Sequence, residues 1–393
     1  MVPAPERARL VPLGSVSLLT GVAYALVGPF LSLFLVTELH AGPVAVGAFL
    51  VTSQVAAVVA STLIGRFSDT RSVRRQLLVI GGATGALGYG VFAVSRSYWV
   101  LLAVSITLSA VASSQMPQMF AYARESLGDS PKAPLAISGI RTLLSVAWVA
   151  GTPLAAFLIA ESGFTLLFAV SAGIYVVAAL AAAVWLPSLG RAPAPRSHDS
   201  TSPRGHIALA AVAFGLMQAA TALGVLAMPL YVTENLGGST GDAGLILSLC
   251  AAIEIPLMIW FGWLAIRSDH RKLVVIGAVT AIGYYAVVTL TTEVWQVAVA
   301  QVLNAVVISA VMGVGISYFQ DLAPDRPGAA TTLFTNTAKV SSMLAGGLLG
   351  LAQHLGYRSA YAIGLGLSVA GLAFLLATRT RHRAAAVVSP ARG

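Results

Sequence analysis

"YARESLGDSP" (residues 122–131) and "YFQDLAPDRP" (residues 318–327) stand 196 residues apart and agree at four places. Tyr122 falls on Tyr318, Glu125 on Asp321, Asp129 on Asp325 and Pro131 on Pro327. The same offset brings Thr84 onto Thr280 and Trp99 onto Trp295. With one gap, "VTEL" (36–39) meets "VTENL" (232–236), Gly65 meets Gly262, and Arg74-Arg75 meet Arg271-Lys272. One such match is chance, but an ordered series over half a chain marks an internal duplication.

The duplicated unit belongs to a chain built for lipid. Hydrophobic residues make up 57% of it, charged residues only 9%, and the mean hydropathy is +0.85. A soluble domain carries about 25% charged residues, so this chain lacks the polar groups to cover a water-facing surface. Apolar runs of about 20 residues recur along its length, each able to cross a ~30 Å hydrocarbon core. Backbone groups in lipid must bond internally, which leaves helices or closed barrels. Barrel strands alternate in period two, whereas these runs are continuously apolar.

The spacing predicts twelve helices, near 11–36, 43–65, 77–94, 98–123, 134–160, 164–186, 207–233, 241–266, 273–291, 294–320, 329–352 and 357–378. The Pro-, Ser- and Arg-rich stretch "PSLGRAPAPRSHDSTSPRGH" reads as a flexible linker. The expected fold is therefore an all-α membrane protein of two pseudo-symmetric six-helix halves, 1–186 and 207–378, with a linker at 187–206 and a tail at 379–393. Arg7 and Arg9 before an apolar stretch ending in Ala23-Tyr24-Ala25 resemble a cleavable signal peptide, but the run continues to Val36, too long for one.

Charge orients the helices. With the N-terminus inside, nineteen of the 23 Lys and Arg residues fall on inside segments, and only Arg96 and Arg358 fall outside. This positive-inside asymmetry places both termini and the linker in the cytoplasm, and the protein in a cell membrane. It also accounts for the net charge of +9 without nucleic acid as a partner. The single cysteine, Cys250, forms no intrachain disulfide. "GGATGALGYG" (81–90) lacks the Gly-Lys-Ser/Thr of a phosphate loop and, like Gly346-x-x-x-Gly350, suits close helix packing. There is no His-Glu-x-x-His and no plausible Ser/His pairing, so no enzyme activity, catalytic residue, metal or cofactor is expected.

Two parallel six-helix repeats describe the major facilitator arrangement, which binds its substrate near the midplane between the halves. The loop "GRFSDTRSVRR" (65–75) resembles the signature loop of that superfamily, with Gly65, Asp69 and a basic cluster; Thr70 and Ser72 depart from it. "SVAWVAGTPLAAF" (145–157) is similar to a glycine-proline motif of facilitator antiporters. "MPQMFAYARE" (116–125), "SVAWVAGTPLA" (145–155), "AAIEIPLM" (251–258) and "FQDLAPDRPGAATTLFTN" (319–336) together resemble the sugar efflux transporter family of that superfamily. The resemblance implies export of small sugars or glycosides, with protons as the usual counter-substrate; a monomer in the bilayer is the expected assembly. A multidrug exporter and a non-transporting sugar sensor are the competing expectations.

Three charges lie well inside spans: Arg141, Glu254 and Lys339. Charge costs a few kcal/mol or more at the bilayer centre, so each is a candidate functional residue. At 1.5 Å per residue, Glu254 stands ~20 Å from Arg267, Lys339 ~16 Å from Gly328 and Arg141 ~13 Å from Lys132. Glu254 is within reach of either cation; the cluster fixes packing, binds sugar hydroxyls or carries a proton. Gln115 and Gln118 share a helix face, as do Gln301 and Asn304; with Gln54, Gln218 and Asn336 they offer amides that both donate and accept. Each suits a sugar or an interhelical bond equally well. Tyr24 and Trp148, with Trp260, offer flat apolar surfaces for a pyranose. Asp69, Arg74, Arg75, Glu125 and Asp321 cluster at cytoplasmic span ends and read as a gate.

Overall fold

A computed structural model of the protein describes residues 6–69, 71–127, 133–188, 204–323 and 327–378. Among these residues every regular element is a helix. Ten stretches are long and apolar enough to cross a membrane. The first four are α1 (Val11–Thr37, with a turn at 28–30), α2 (Pro43–Ser68), α3 (Arg74–Val94) and α4 (Tyr98–Ser126). The helical run Ala133–Trp185 breaks at Ser162 and at Gly163, whose φ of 69° lies in the left-handed region open to glycine. It is therefore two helices, α5 (133–161) and α6 (164–185). Then follow α7 (His206–Asn235), α8 (Thr240–Arg267), α9 (His270–Leu290) and α10 (Val294–Leu322). The more polar α11 (Pro327–Leu355) and α12 (Arg358–Ala377) complete twelve. Most of the linker and all of the tail expected at 187–206 and 379–393 lie outside the described residues.

Lipid offers no hydrophobic drive for helix association, so close packing uses small residues. On α1, a methyl group at Gly21 would stand 3.0 Å from the Ala147 Cβ of α5. Between α3 and α6, one at Gly85 would meet the Tyr175 ring at 2.7 Å; between α9 and α12, one at Gly364 would meet Tyr285 at 2.6 Å. Three π-helical turns, Ser105–Ser109, Tyr231–Asn235 and Ser309–Gly313, fall in α4, α7 and α10. Such turns are frequent at functional sites.

The duplication is visible as repeated contacts. Tyr122 donates to the Pro187 carbonyl at 2.7 Å, and Tyr318 pairs with the Thr378 hydroxyl at 2.9 Å, each at the end of its own half. Arg75 donates to the Ala183 carbonyl, and Arg271 to the Leu376 carbonyl at 3.1 Å. Arg71 lies 4.3 Å over the Phe67 ring and Arg267 4.4 Å over that of Trp263. The two tyrosines, the two arginines and the two cation–ring pairs stand at an offset of 196 without a gap, while their carbonyl or hydroxyl partners fall a few residues off it, so the contacts make Arg75, rather than Arg74, the counterpart of Arg271.

Twelve crossings bring the start of α1, the end of α6, the start of α7 and the end of α12 to one end of the bundle, the linker end. Arg96 and Arg358 both hold the far end. Arg96 pairs with Glu38 at 3.0 Å, and Arg358 donates to the Thr291 carbonyl at 2.9 Å. Every hydrogen bond between the halves, among the described residues, also lies toward this far end. Ser32 donates to the Leu226 carbonyl at 2.6 Å, Ser248 to that of Val149 at 2.7 Å and Gln353 to that of Ala41 at 2.9 Å. Glycines bring the backbones together there. A methyl at Gly350 would stand 2.6 Å from the Pro43 oxygen, and one at Gly244 would stand 2.7 Å from that of Thr152. Pro153 explains the Val149 acceptor. It has no N–H to offer the carbonyl four residues back, so that oxygen is free for Ser248. Toward the linker end the same helices expose Leu63 and Phe67 on α2, and Trp260 and Trp263 on α8. The halves thus meet at the far end and part toward the linker.

Ser248→Ala removes one cross-half bond worth about 1 kcal/mol. Spin-label distances between α5 and α8 at the far end should then show the separated population rise about five-fold, and Gly244→Val should raise it further. Unchanged distance distributions in both variants would show that these contacts do not hold the end closed.

Candidate functional site

The candidate site lies where the halves part, and α8 supplies its acid. Ser239 and Asp242 start that helix with a reciprocal cap: the Ser239 hydroxyl accepts from the Asp242 amide at 3.1 Å, and the Asp242 carboxylate accepts from the Ser239 amide at 2.8 Å. Fourteen residues after Thr240 comes Glu254, half-buried, with Pro256 just beyond it. The Glu254 backbone carbonyl accepts from Ser309 at 3.4 Å. Its carboxylate has no hydrogen-bond or ion-pair partner among the described residues, and neither does the half-buried Lys339 ammonium of α11. The Arg141 side chain lies outside the described residues. A carboxylate at this depth needs a proton, water or ligand to satisfy it.

One turn before Glu254, a chain of polar groups runs inward. Asn304 donates to the Cys250 sulfur at 3.4 Å and to Gln301 Oε1 at 2.9 Å, and Gln301 donates to the Tyr284 hydroxyl at 3.3 Å. Asn304 Oδ1 is buried without a partner among the described residues and lines a small cavity with Thr221, Met228, Tyr284 and Tyr285. Gln218 accepts from Thr337 at 3.3 Å, and its Nε2 is likewise without a described partner. Gln54 is half-buried on α2 and Asn336 is exposed on α11.

Gln115 and Gln118 sit elsewhere. Gln115 is fully buried and donates to the Leu78 carbonyl at 2.9 Å, in space that the missing side chain of Gly81 leaves open. Gln118 donates to the Ser68 hydroxyl at 3.1 Å and accepts from Arg74 at 3.0 Å. Their shared helix face turns toward α2 and α3 rather than toward the parting between the halves.

The N-terminal half presents aromatic groups. Tyr24 meets Trp148 edge-on, with ring centroids 6.2 Å apart. Tyr24 is 49% exposed, yet every other residue from 12 to 36 on α1 is buried or half-buried. A single exposed ring on a helix enclosed by its neighbours looks into an opening between helices.

The linker-end charges pair within halves. Arg74 forms an ion pair with Glu125, their side chains 10% and 16% exposed, and also donates to the Ser68 hydroxyl at 3.0 Å. His270 pairs with Asp321. The Asp69 side chain lies outside the described residues, as do Asp129 and Asp325. Sequence alone missed Ser68 and His270. The duplication holds a signal for His270: Glu125 and Asp321 are counterparts, so each half needs a basic partner near the start of its third helix.

These features meet those of known transporters. The family model of the Major Facilitator Superfamily matches residues 13–223 and 207–392. Sugar efflux transporter A of Escherichia coli (strain K12) is 35% identical over 364 residues, covering 91% of this chain and 93% of its own. The chain belongs to the sugar efflux transporters of the major facilitator superfamily. Sugar efflux transporter C of the same organism is 33% identical and covers 90% of this chain and 91% of its own. Among solved structures, a bacterial homolog of the human lysosomal transporter Spinster, in an inward-facing and occupied conformation, superimposes with a TM-score of 0.75 at 14% identity. It covers 95% of this chain and 96% of its own, a likeness of fold. The family and these relatives are transporters, not enzymes.

Replacing Glu125 with Ala removes a carboxylate partner of the mostly buried Arg74 guanidinium, which keeps its bonds to Ser68 and Gln118. The cost is that of one bond to a charged group, about 1.5–3 kcal/mol, short of the larger penalty of a wholly uncompensated buried charge. The transporter's melting temperature in detergent should fall by several degrees, and adding Arg74→Met should restore most of the loss. Equal melting of the single variant and the wild type would show that the pair is solvated.

Proposed function

We propose that the transporter exports small sugars or glycosides in exchange for protons, working as a monomer in the cell membrane. The single observation that carries this reading is the Glu254 carboxylate, set deep in a span without a described protein partner where the two halves part. The relatives named sugar efflux transporters supply the substrate class. The basic residues gathered at the linker end favour a cytoplasmic placement of both termini, so the described form is open to the cytoplasm and closed outside.

In this reading, residues 1–186 and 207–378 rock as two units about the site, with 187–206 as a slack connection. Sugar enters from the linker end. Ionised Glu254 accepts sugar hydroxyls, with Gln54, Gln218, Gln301, Asn304 and Asn336 as further partners and Arg141 and Lys339 balancing the charge. Tyr24 and Trp148 contact the pyranose face. Gln115 and Gln118, bonded between helices, hold α4 in place. After the halves rock, a proton from outside displaces the sugar from Glu254, and the neutral acid accompanies the return. Asp69, Arg74, Arg75, Glu125 and Asp321 close the linker end in the outward-open state, exchanging partners within a half for partners across it.

The test separates coupling from binding. In proteoliposomes, Glu254→Gln should lower export driven by a pH gradient about ten-fold or more, since a bond to a charged acceptor is worth about 1.5–3 kcal/mol. Sugar counterflow without a gradient should persist. Gradient-driven export at the wild-type rate from mildly acidic to mildly basic pH would overturn the role of Glu254.

A further inference from the structure

Asn304 of α10 is only 7% exposed, and its amide is half satisfied. Both N–H groups are used, one on the Cys250 sulfur at 3.4 Å and one on Gln301 Oε1 at 2.9 Å, whereas Oδ1 has no partner among the described residues. On α9 the Tyr284 hydroxyl stands the other way round. It accepts from Gln301 at 3.3 Å, and its own proton reaches no acceptor among the described residues. An unused acceptor and an unused donor, both on buried side chains, thus line one cavity. Buried polar atoms of this kind are paired in folded proteins.

The cavity has the size and the lining for one small polar group. It has room for about one water. Asn304 Oδ1 and the hydroxyls of Thr221, Tyr284 and Tyr285 stand around it, and a buried water uses about two to four such contacts. The Thr221 hydroxyl gives its proton to the Met217 carbonyl at 3.1 Å, so toward the cavity it accepts. Gly224 makes the room: a methyl group there would stand 3.5 Å from the Tyr285 hydroxyl, with nothing nearer. Of the lining residues only Thr221 and Val225 are half-buried, so the niche opens past these two side chains of α7. Thr221 stands fourteen residues from the far end of α7, and Glu254 fourteen from that of α8, so both lie ~21 Å deep.

We propose that this niche is a binding site for a single hydroxyl group, which donates to Asn304 Oδ1 and accepts from Tyr284. A trapped water supplies the group in the empty transporter, or a sugar hydroxyl supplies it in the loaded one; only the second source rests on the sugar-export reading. A hydroxyl donates and accepts through one oxygen, as an acceptor and a donor across a water-sized space require. An ammonium only donates and a carboxylate only accepts, and no charged side chain lines the niche to balance either. The occupant bears on the acid through α8. By holding Asn304 Oδ1 it keeps Nδ2 turned to Cys250, one turn before Glu254. A filled niche thereby fixes the amide that ties α10 to α8 beside the acid.

Radiolytic hydroxyl labelling of the full-length transporter in detergent tests this, because radicals formed from a trapped water oxidise the side chains that touch it. Met228 and Tyr284 line the niche and are each 1% exposed; Met217 and Tyr318, at 2% and 1%, lie outside it and serve as references. Without sugar, Met228 and Tyr284 should label several-fold faster than Met217 and Tyr318. Gly224→Ala, which puts a methyl group in the niche, should bring both down to the reference rates, with melting in detergent as the check on the fold. Reference rates in the wild type, or wild-type labelling in Gly224→Ala, overturn the proposal. Adding a saturating transported sugar distinguishes the sources. Loss of labelling on both residues assigns the occupant to a sugar hydroxyl, and Gly224→Ala should then raise half-saturation in proteoliposome counterflow about five-fold, the loss of one neutral hydrogen bond. Labelling unchanged by sugar assigns a resident water and upholds the site. A wild type that moves no sugar overturns the export reading but leaves the sugar-free labelling, and the site it reports, standing.

Discussion

The hydrocarbon core contains no water to satisfy a backbone amide or carbonyl, and the rest of this structure follows from that. Every backbone group must find its partner within the protein, so the chain crosses as twelve helices. Between them no hydrophobic drive remains, so glycine and alanine set the closest approaches, as at Gly21 on Ala147 and Gly85 on Tyr175. Among the described residues, irregularity within the spans takes the form of π turns in α4, α7 and α10, short turns such as that at 28–30, and prolines whose freed carbonyls can be reused. Val149 is the clearest case, because its oxygen serves the contact between the halves.

The duplication separates scaffold from chemistry. Tyr122 and Tyr318, Arg75 and Arg271, and the Phe67–Arg71 and Trp263–Arg267 pairs repeat across the halves and anchor helix ends or rest on aromatic rings. The charges set at membrane depth do not repeat. At the same offset Glu254 faces Val58, Lys339 faces Leu143 and Arg141 faces Thr337. Two copies of one frame have diverged where function needs asymmetry: the carboxylate Glu254 stands in one half only.

Much of this was legible in the sequence, for physical reasons. Run length, composition and the sign of loop charge are one-dimensional quantities, so the twelve helices, the duplication and the crowding of charge at one end could be read directly. Rotation about a helix axis is not one-dimensional. Gln115 and Gln118 share a face, but only packing reveals that it turns to α2 and α3. Arg74 and Glu125 were legible as linker-end charges, but not that they pair with each other inside one half.

The far-end contact between the halves has one more property. Its hydrogen bonds run from Ser32, Ser248 and Gln353 to backbone carbonyls, and its close approaches are between glycines and backbone. No ion pair between described residues crosses the halves there. In the proposed orientation this seal meets the external medium, whose acidity and ionic strength a cell does not control, whereas the Arg74–Glu125 and His270–Asp321 pairs face the buffered cytoplasm. A closure made of neutral groups is neither screened by salt nor titrated by acid, so the transporter's outer door shuts alike in fresh and brackish surroundings.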